Sequence, residues 1–177
     1  MGIEKPEYVV RARLAGIEFR EYQPYWVAEC EFANQSDLRA AAYLGFRNLF
    51  NYISGENDSA QKISMTAPVE QRPVGAGWAV SFVVPRSFYE GDIPSPTNSQ
   101  LRLRKVPGGL VAALRFRGQW GSTEYEHQAR KLTETLKSIG VTATGPATCA
   151  VYNPPLTPPI LRRNEVLIPV EALPHEA

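Results

Sequence analysis

The fold of this chain is decided around residues 62–69, which read Lys62-Ile63-Ser64-Met65-Thr66-Ala67-Pro68-Val69. Apolar side chains alternate with polar ones there, a pattern typical of a strand with one buried face. The stretch therefore predicts a short strand that places Ile63, Met65 and Ala67 on its apolar face. Pro68 is expected to end the pairing, because proline has no N–H to donate to a neighbouring strand.

The same order of elements occurs twice along the chain. A helix, a turn with glycine and a short apolar run that ends at proline come first before Pro68 and again before Pro154. A Val-Ala pair followed by phenylalanine precedes both helices, at residues 27–32 and 111–116. We therefore predict one domain over residues 1–177, built from two similar halves at about 6–90 and 100–171.

Composition and charge are those of an ordinary globular protein. Of 177 residues, 44% are hydrophobic and 21% are charged, and 19 basic against 18 acidic side chains leave a net charge of +1. This balance gives no reason to expect nucleic acid or an anionic membrane as a general partner. The N-terminus shows no apolar leader and no stretch reaches the length of a membrane span, so a cytoplasmic protein is expected.

The first helix is predicted from about Asp37 to Ser54, with an apolar arc wider than one packing surface needs. Its core stripe consists of Leu38, Ala42, Gly45, Leu49 and Ile53. A second apolar row holds Tyr43, Phe46 and Phe50. Two interpretations stay open: a helix buried on both sides, or a helix whose aromatic row lines a ligand pocket.

The second helix is predicted from about Thr123 to Ile139, and Thr123 with Glu126 matches a capping box at its start. It has one narrow apolar stripe, made of Tyr125, Ala129, Leu132, Leu136 and Ile139. This difference between the helices predicts that any pocket lies beside the first one.

The proline-rich segment that follows has four prolines within residues 154–159. Such a run predicts an extended polyproline-type path. A strand comes directly after it, so an ordered rim is favoured over a flexible linker.

Catalytic signatures are mostly absent from the sequence. It contains no Gly-x-Ser-x-Gly, no phosphate-binding loop and no dinucleotide fingerprint. The two carboxylates Glu29 and Glu31 share one face of a predicted strand and are expected to face solvent. A binding protein is therefore favoured over an enzyme.

Cysteine and histidine give little sign of a metal site. Cys30 and Cys149 lie far apart in apolar runs, so two buried free thiols are favoured over a disulfide. Of the two histidines, His175 lies near the C-terminus. His127 is expected to face solvent on the second helix, although a role as a ligand or base stays open.

Aromatic and cationic side chains form the most specific pattern. Tyr43, Phe46, Phe50 and Tyr152 offer faces on which a flat apolar ligand can stack. Four arginines could hold ligand carboxylates through charge-assisted bonds, although each fits a solvated rim equally well. These arginines are Arg39, Arg47, Arg162 and Arg163.

Several of these motifs resemble the SOUL/HEBP heme-binding proteins. They are Gly45-Phe46-Arg47-x-Leu49-Phe50, Asn51-Tyr52-Ile53-Ser54-Gly55, residues 62–69, Tyr152-Asn153-Pro154-Pro155 and Arg162-Arg163-Asn164-Glu165-Val166. The resemblance runs from about residue 6 to residue 170 and matches several motifs in the same order.

The resemblance implies an α+β fold, a distorted antiparallel β-barrel with two long helices formed by two pseudo-symmetric halves. It also implies a shallow apolar pocket beside the first helix, which holds heme or a related tetrapyrrole non-covalently. The protein would then act as a carrier, buffer or sensor. With the charged residues added, the candidate binding residues are Arg39, Tyr43, Phe46, Arg47, Phe50, Met65, Tyr152 and Arg162.

One departure from the family concerns the iron. Some animal members are assigned an axial histidine in their N-terminal part, and this chain has no histidine before His127. The metal ligand is therefore unknown. Met65 and Cys149 carry sulfur atoms that could bind iron, but packing in the core is favoured for both. Two alternatives stay open: a tetrapyrrole-modifying or hydrolytic enzyme, and a protein-interaction module that uses residues 153–165.

Overall fold

Strands make up most of the regular structure in the computed structural model, which describes residues 2–154 and 156–175. Within those residues the strands are β1 (Tyr8–Leu14), β2 (Ile17–Tyr22), β3 (Tyr25–Phe32), β4 (Val69–Val74), β5 (Gly77–Val83), β6 (Leu101–Val106), β7 (Gly109–Phe116), β8 (Thr148–Val151) and β9 (Asn164–Pro169). The long helices are α1 (Leu38–Ile53) and α2 (Ser122–Ser138), and short 3-10 helices span Arg86–Phe88 and Pro159–Leu161. None of the described helices has the length and apolar character needed to cross a bilayer.

The chain divides into two compact units. The first unit comprises Met1–Pro6 and Pro24–Pro107, and the second comprises Glu7–Gln23 and Gly108–Ala177. Strands of the first unit follow the order β4-β5-β3-β6, and strands of the second follow β1-β2-β7-β9-β8. The named strands pair antiparallel within each unit, and α1 lies in the first unit and α2 in the second. The α+β class with antiparallel strands and two long helices is confirmed, whereas the internal repeat stays a prediction.

In the first unit, α1 packs closely on β5 because a glycine faces that strand. A Cβ atom at Gly45 would lie 2.6 Å from the Cβ atom of Val80, closer than real side chains approach. Cys30 on β3 pairs with Val80 across the sheet and therefore lies on the same face. The predicted core stripe of α1 is buried along its whole length.

In the second unit, α2 uses the narrow stripe that the sequence predicts. Leu132 and Leu136 join a buried cluster with Phe19 of β2 and Val166 of β9. Tyr125 is also buried, and its hydroxyl donates a hydrogen bond to the Ala147 carbonyl at 2.8 Å. The rest of α2 is exposed or half-buried, so a single face holds this helix in place.

The segment at residues 62–69 is not the strand that its alternation predicts. Residues 61–65 belong to no strand, Thr66 forms an isolated bridge with Glu4, and β4 begins only at Val69. Alternation alone does not make a strand, because a strand also needs a neighbouring backbone with which to pair.

Within residues 62–69, the burial of Ile63 and Ala67 coincides with backbone hydrogen bonds to other parts of the first unit. Ile63 and Ala67 are buried as expected, but Met65 is 40% exposed, so its predicted packing in the core is wrong. The Ile63 N–H donates to the Ile53 carbonyl at 2.8 Å, and the Ala67 N–H donates to the Glu4 carbonyl at 2.9 Å. The segment is therefore an anchored loop.

The predicted capping box of α2 is also wrong. Gly121 occupies the N-cap position without a side-chain hydrogen bond, and Thr123 already lies inside the helix. A residue inside the helix cannot act as its cap, because the capping residue must precede the first helical one. The first helix begins as expected, since the Asp37 carboxylate accepts the Ala40 N–H at 2.7 Å.

Turns replace the predicted polyproline path. The Thr157 N–H donates to the Pro154 carbonyl at 3.0 Å, and the Leu161 N–H donates to the Pro158 carbonyl at 2.9 Å. A polyproline helix has no internal hydrogen bonds, so the extended path is wrong for the described residues. Pro155 of the predicted run lies outside them.

Candidate functional site

The helix α1 has two faces of different character. Its buried residues are Leu38, Ala41, Ala42, Gly45, Leu49, Tyr52 and Ile53. On the other side three aromatic side chains are open to water: Tyr43 is 73% exposed, Phe46 is 37% exposed and Phe50 is 51% exposed. We call these three residues the aromatic face. Their exposure excludes the interpretation of α1 as a helix buried on both sides.

Phe46 ties the aromatic face to the core of the first unit. Its ring meets the ring of Phe82 edge-on, with 5.3 Å between centroids and 67° between planes. Its other neighbour is Phe50, whose ring is nearly parallel at 12°, with 6.1 Å between centroids. Phe82 is buried on β5, so one edge of the contact between the two rings belongs to the core of the first unit. The two nearly parallel rings form the exposed apolar part of the aromatic face next to the sheet.

Two of the predicted arginines flank this surface. An α-helix turns by about 100° per residue. One arc of about 100° on α1 therefore contains Arg39, Tyr43, Phe46, Arg47 and Phe50. Both arginines are exposed. Such an arrangement places cations at the edge of an apolar surface, where they can meet the carboxylates of a ligand that lies on it.

The other predicted residues are distributed over both units. Met65 lies in the first unit, on the anchored loop. Tyr152 and Arg162 lie in the second unit. The Arg162 Nε–H donates to the Thr157 carbonyl at 2.6 Å, which holds the proline-rich loop together. A role in ligand binding for these three residues stays a prediction.

Tyr152 belongs to a buried charged cluster that sequence reasoning missed. Glu165 is fully buried and accepts hydrogen bonds from Tyr152 at 2.9 Å, from Arg163 at 2.8 Å and from Arg20 at 2.7 Å. The guanidinium of Arg163 also lies 4.2 Å from the centre of the Tyr152 ring. One face and the hydroxyl of this tyrosine are therefore engaged within the protein.

The pKa values in this cluster follow from burial and charge. Burial alone raises the pKa of Glu165, but the hydrogen bonds and charges of Arg20 and Arg163 outweigh it, so the pKa is lowered. Burial and the nearby Glu165 charge both raise the pKa of Tyr152. Glu165 is thus held ionised and Tyr152 neutral, which is the pairing that their hydrogen bond requires.

A second buried carboxylate contradicts its expected exposure. Glu29 on β3 is fully buried and accepts hydrogen bonds from Arg72 at 2.7 Å, Arg104 at 2.9 Å, Arg102 at 3.0 Å and Ser81 at 2.9 Å. Burial alone raises the pKa of Glu29, but the bonds from the arginines outweigh this effect and lower the pKa to about 2. The carboxylate is therefore ionised at any ordinary pH.

The sequence did contain a signal for this cluster. Arg102 and Arg104 alternate with leucines on β6, just as Glu29 and Glu31 alternate with apolar residues on β3. Arg102 lies directly opposite Glu29 in the antiparallel pair, and it also contacts the exposed Glu31. Two strands that each carry like charges at every second position, with opposite signs, are natural neighbours in a sheet.

Glu70 on β4 is a buried carboxylate with a different environment. The Tyr25 hydroxyl donates a hydrogen bond to it at 2.8 Å. Burial raises the pKa of Glu70, and the bond from Tyr25 offsets only part of that effect. The first unit therefore contains one carboxylate with a lowered pKa and one with a raised pKa.

Comparison with known sequences identifies the family. The sequence model described as "SOUL heme-binding protein" matches residues 3–169. The chain belongs to this family. The predicted resemblance is confirmed over nearly its whole length.

Heme-binding protein 1 from several vertebrates is related to this SOUL chain. The mouse protein is 30% identical over 126 residues, which cover 67% of this chain and 65% of the mouse protein. The Xenopus laevis protein is 26% identical over 176 residues, which cover 93% of this chain and 91% of that protein. The chain thus spans just under two thirds of the mouse relative that it matches.

Solved structures share the fold of this SOUL chain. The C-terminal domain of EcmrR superposes with a TM-score of 0.69 at 12% identity, covering 89% of this chain and 98% of that one. A hydrolase from Listeria innocua gives a TM-score of 0.58 at 11% identity, covering 91% of this chain and 94% of that one. At such identities the likeness concerns the fold alone, and the enzymatic alternative stays a prediction.

Thiols and histidines of the SOUL chain are placed as the sequence predicts. Cys30 and Cys149 are buried and free, and burial raises their pKa values to about 11 and about 12. Such thiols are protonated at neutral pH and poorly reactive. His127 is exposed on α2. The described residues contain no group of three histidine, cysteine or acidic side chains that could hold a metal ion.

Proposed function

We propose that this chain binds heme or a related tetrapyrrole non-covalently on the aromatic face of α1 and acts as a carrier, buffer or sensor. The observation that carries the proposal is the exposure of Tyr43, Phe46 and Phe50 on a helix whose other side is buried. Soluble proteins rarely leave neighbouring aromatic side chains open to water without a ligand or partner to cover them. The family match supports a tetrapyrrole as that ligand.

Covering one face of a porphyrin would give useful affinity. Covering roughly 300 Å² of porphyrin at about 25 cal/mol/Å² contributes about 7.5 kcal/mol before the cost of association. The parallel rings of Phe46 and Phe50 suit a flat macrocycle, because offset stacking needs near-parallel planes. The aromatic face therefore supplies most of the binding free energy.

Arg39 and Arg47 would hold the carboxylates of the ligand. A hydrogen bond to a charged group contributes about 1.5–3 kcal/mol. Two such bonds contribute about 3–6 kcal/mol in addition to the apolar contact, and with an association cost of about 5 kcal/mol the dissociation constant is on the order of 1–100 µM. Because the arginines lie on the same arc as the aromatic face, they would also fix the orientation of the macrocycle.

Iron ligation is not needed for this mode of binding. The first unit contains no histidine, and His127 lies in the second unit. Bound heme would supply its own redox and ligand-binding chemistry, while the residues of α1 only bind, orient and shield it. Protoporphyrin IX, which lacks iron, is therefore expected to bind within about threefold of hemin, a difference of less than 1 kcal/mol.

A hemin titration of the purified chain tests the proposal. Soret absorbance and quenching of Trp26, Trp78 and Trp120 should report saturable binding with one ligand per chain. Tyr43→Ala and Phe50→Ala should each weaken the affinity about tenfold, which corresponds to about 1.4 kcal/mol of lost contact. Both side chains are largely exposed, so their removal should leave the fold intact.

Leu44→Ala is the matched control for these variants. Leu44 lies on the same helix and is 42% exposed, but it points about 100° away from Tyr43. The Leu44→Ala variant should bind hemin with the same affinity as the unchanged chain. The proposal is contradicted if Leu44→Ala weakens binding as much as Phe50→Ala, or if His127→Ala abolishes the Soret change.

A porphyrin without free carboxylates tests the arginines. The dimethyl ester of protoporphyrin IX should bind the unchanged chain more weakly than the free acid. Arg39→Gln and Arg47→Gln should weaken binding of the free acid and leave binding of the ester unchanged. Equal losses for both ligands would show that the arginines act through the fold instead.

A further inference from the structure

The three sulfur atoms of the described residues differ in their access to a ligand. They belong to Cys30, Met65 and Cys149. Both cysteines are 0% exposed, and burial raises the pKa of each thiol, so neither offers a thiolate to a ligand that arrives from solvent. Met65 is 40% exposed. Among the described residues, its sulfur is therefore the one that a bound ligand can reach.

The loop before Met65 is bonded to the end of α1 that carries Phe50. The Ile63 N–H donates to the Ile53 carbonyl at 2.8 Å, and Ile53 is the last residue of α1. Phe50 precedes Ile53 by three residues, which is about 4.5 Å along the helix axis. Met65 follows Ile63 by two residues, so their Cα atoms are at most about 7 Å apart. Met65 therefore lies near the end of α1 at which Phe50 is exposed.

The residue after Met65 is bonded to the strand that supports Phe46. The Thr66 hydroxyl donates to the Val83 carbonyl at 2.6 Å, and Val83 is the last residue of β5. Val83 follows Phe82, whose ring contacts the ring of Phe46. Hydrogen bonds on both sides thus hold Met65 close to the aromatic face. A loop that is already fixed loses less conformational entropy when a ligand binds.

We propose that the sulfur of Met65 is an axial ligand of ferrous heme on the aromatic face, so that the chain binds reduced heme more tightly than oxidised heme. The inference rests on the proposed function, because the aromatic face must hold the macrocycle. A thioether is a soft, uncharged ligand, and methionine ligation in heme proteins favours reduced iron. Ferric heme gains little from such a ligand, which is consistent with the similar affinities expected for hemin and protoporphyrin IX.

Other exposed donors of the first unit suit the iron less well. Lys62 is exposed on the same loop, and Tyr43 is exposed on the aromatic face. An ammonium group and a phenol must each lose a proton before they bind a metal, whereas a thioether carries no proton to lose. Met65 is therefore ready to bind iron at neutral pH.

Titrations with heme in two oxidation states test the inference. Hemin supplies the ferric state, and hemin reduced with dithionite under nitrogen supplies the ferrous state. The unchanged chain should bind ferrous heme at least tenfold more tightly than hemin. This ratio raises the reduction potential of bound heme by at least about 59 mV above that of free heme. Equal affinities for the two states would overturn the inference.

Met65→Leu separates the sulfur from the bulk of the side chain. Leucine is apolar and similar in volume, and the site is 40% exposed, so the fold should persist. The variant should bind ferrous heme and hemin within about threefold of each other. Its affinities for hemin and protoporphyrin IX should equal those of the unchanged chain. A tenfold preference for ferrous heme that persists in Met65→Leu would overturn the inference.

Lys62→Gln is the matched control on the same loop. Loss of this charge changes any attraction to the ligand carboxylates equally in both oxidation states. The ratio of the two affinities should therefore stay that of the unchanged chain. If Lys62→Gln removed the preference for ferrous heme, the amine and not the sulfur would be the ligand, and the inference would be wrong.

X-ray absorption at the iron edge identifies the ligand independently of affinity. The frozen ferrous complex of the unchanged chain should show scattering from one sulfur neighbour, which should be absent in Met65→Leu. Neighbours that are nitrogen or oxygen alone would overturn the inference. The two proposals fail in different ways: absence of saturable hemin binding contradicts the proposed function, whereas saturable hemin binding without a sulfur neighbour in the ferrous state contradicts only the role of Met65.

Discussion

The two long helices use their exposed sides differently. In α1, 7 of 16 residues are buried and the exposed arc carries three aromatic side chains. In α2, 3 of 17 residues are buried, and every exposed position is polar or charged. A helix needs only one apolar stripe to pack. The surplus apolar surface of α1 therefore points to binding rather than to folding.

The two units are alike in a different respect. Each holds a fully buried glutamate among arginines, Glu29 in the first unit and Glu165 in the second. A buried carboxylate needs partners of this kind wherever it lies, since an unpaired buried charge is very costly. The shared clusters thus belong to the scaffold, and the aromatic face is what sets the first unit apart.

The largest expected effect separates the two buried clusters. Glu165→Ala leaves Arg20 with a side chain only 3% exposed and without its main partner, so the free energy of unfolding should fall by about 3–5 kcal/mol. Glu29→Ala should cost about 1–3 kcal/mol, because Arg72, Arg102 and Arg104 are 27%, 53% and 30% exposed and can turn to water. Urea denaturation measures both.

An exposed ion pair calibrates this comparison. Glu21 pairs with Arg11 on the surface of the second unit, with side chains 46% and 50% exposed. Glu21→Ala should change the free energy of unfolding by about 0–1 kcal/mol. If Glu29→Ala were as costly as Glu165→Ala, the partial exposure of the arginines in the first unit would not relieve the lost charge.

A smaller effect tests the close approach of α1 to its sheet. Gly45→Ala should destabilise the chain by about 1–3 kcal/mol, because the new Cβ would overlap Val80, although alanine itself favours the helix. Adding Val80→Ala removes the two γ-methyl groups that would lie 2.9 and 3.0 Å away but keeps the Cβ atom at 2.6 Å, so it should relieve only part of the overlap. The double-mutant cycle therefore predicts a favourable coupling, and strict additivity of the two changes would contradict the contact.

The dependence of stability on pH should have opposite signs for two carboxylates of the first unit. The pKa of Glu29 is lowered to about 2, so its contribution is present above the unfolded pKa of 4.5 and is lost as pH falls towards 2. The pKa of Glu70 is raised, so its contribution is present below 4.5 and is lost as pH rises through its folded pKa. Glu29→Gln should reduce the change of the free energy of unfolding with pH below 4.5. Glu70→Gln should reduce its change with pH above 4.5.

Urea titrations between pH 2 and 8 measure these slopes. The Asp58→Asn variant serves as a control, because Asp58 is an exposed carboxylate of the same unit. Its curve should keep the shape of the unchanged chain. An acid limb that persists in Glu29→Gln would assign the slope to the second unit, where the pKa values of Glu165 and Glu18 are also lowered.

Local patterns predicted much of the fold. The helices, the apolar stripe of each and most strands follow from residue spacing, because these features depend on neighbours along the chain. The family resemblance also came from local motifs, and it directed attention to Phe46 and Phe50. Their exposure agrees with the expected pocket beside the first helix, although the site itself stays a proposal.

Features that depend on distant residues were missed. Alternation at residues 62–69 predicts a strand, but residues 61–65 pair with no strand among the described residues, and Met65 is 40% exposed. The face of Glu29 was predicted correctly, but its burial depends on arginines from β4 and β6. Sequence spacing fixes the side of a strand on which a residue lies, and only the tertiary fold decides what covers that side.

The smallest expected effect concerns the first residues of the two helices. Asp37→Ala removes the carboxylate that accepts the Ala40 N–H, so it should cost about 1 kcal/mol. Thr123→Ala should change the free energy of unfolding by less than about 0.5 kcal/mol, because Thr123 lies inside α2 and alanine is the better helix former. Equal costs for the two variants would mean that Thr123 caps α2 in solution after all. The two helices would then begin alike, and their difference would lie in the aromatic face alone.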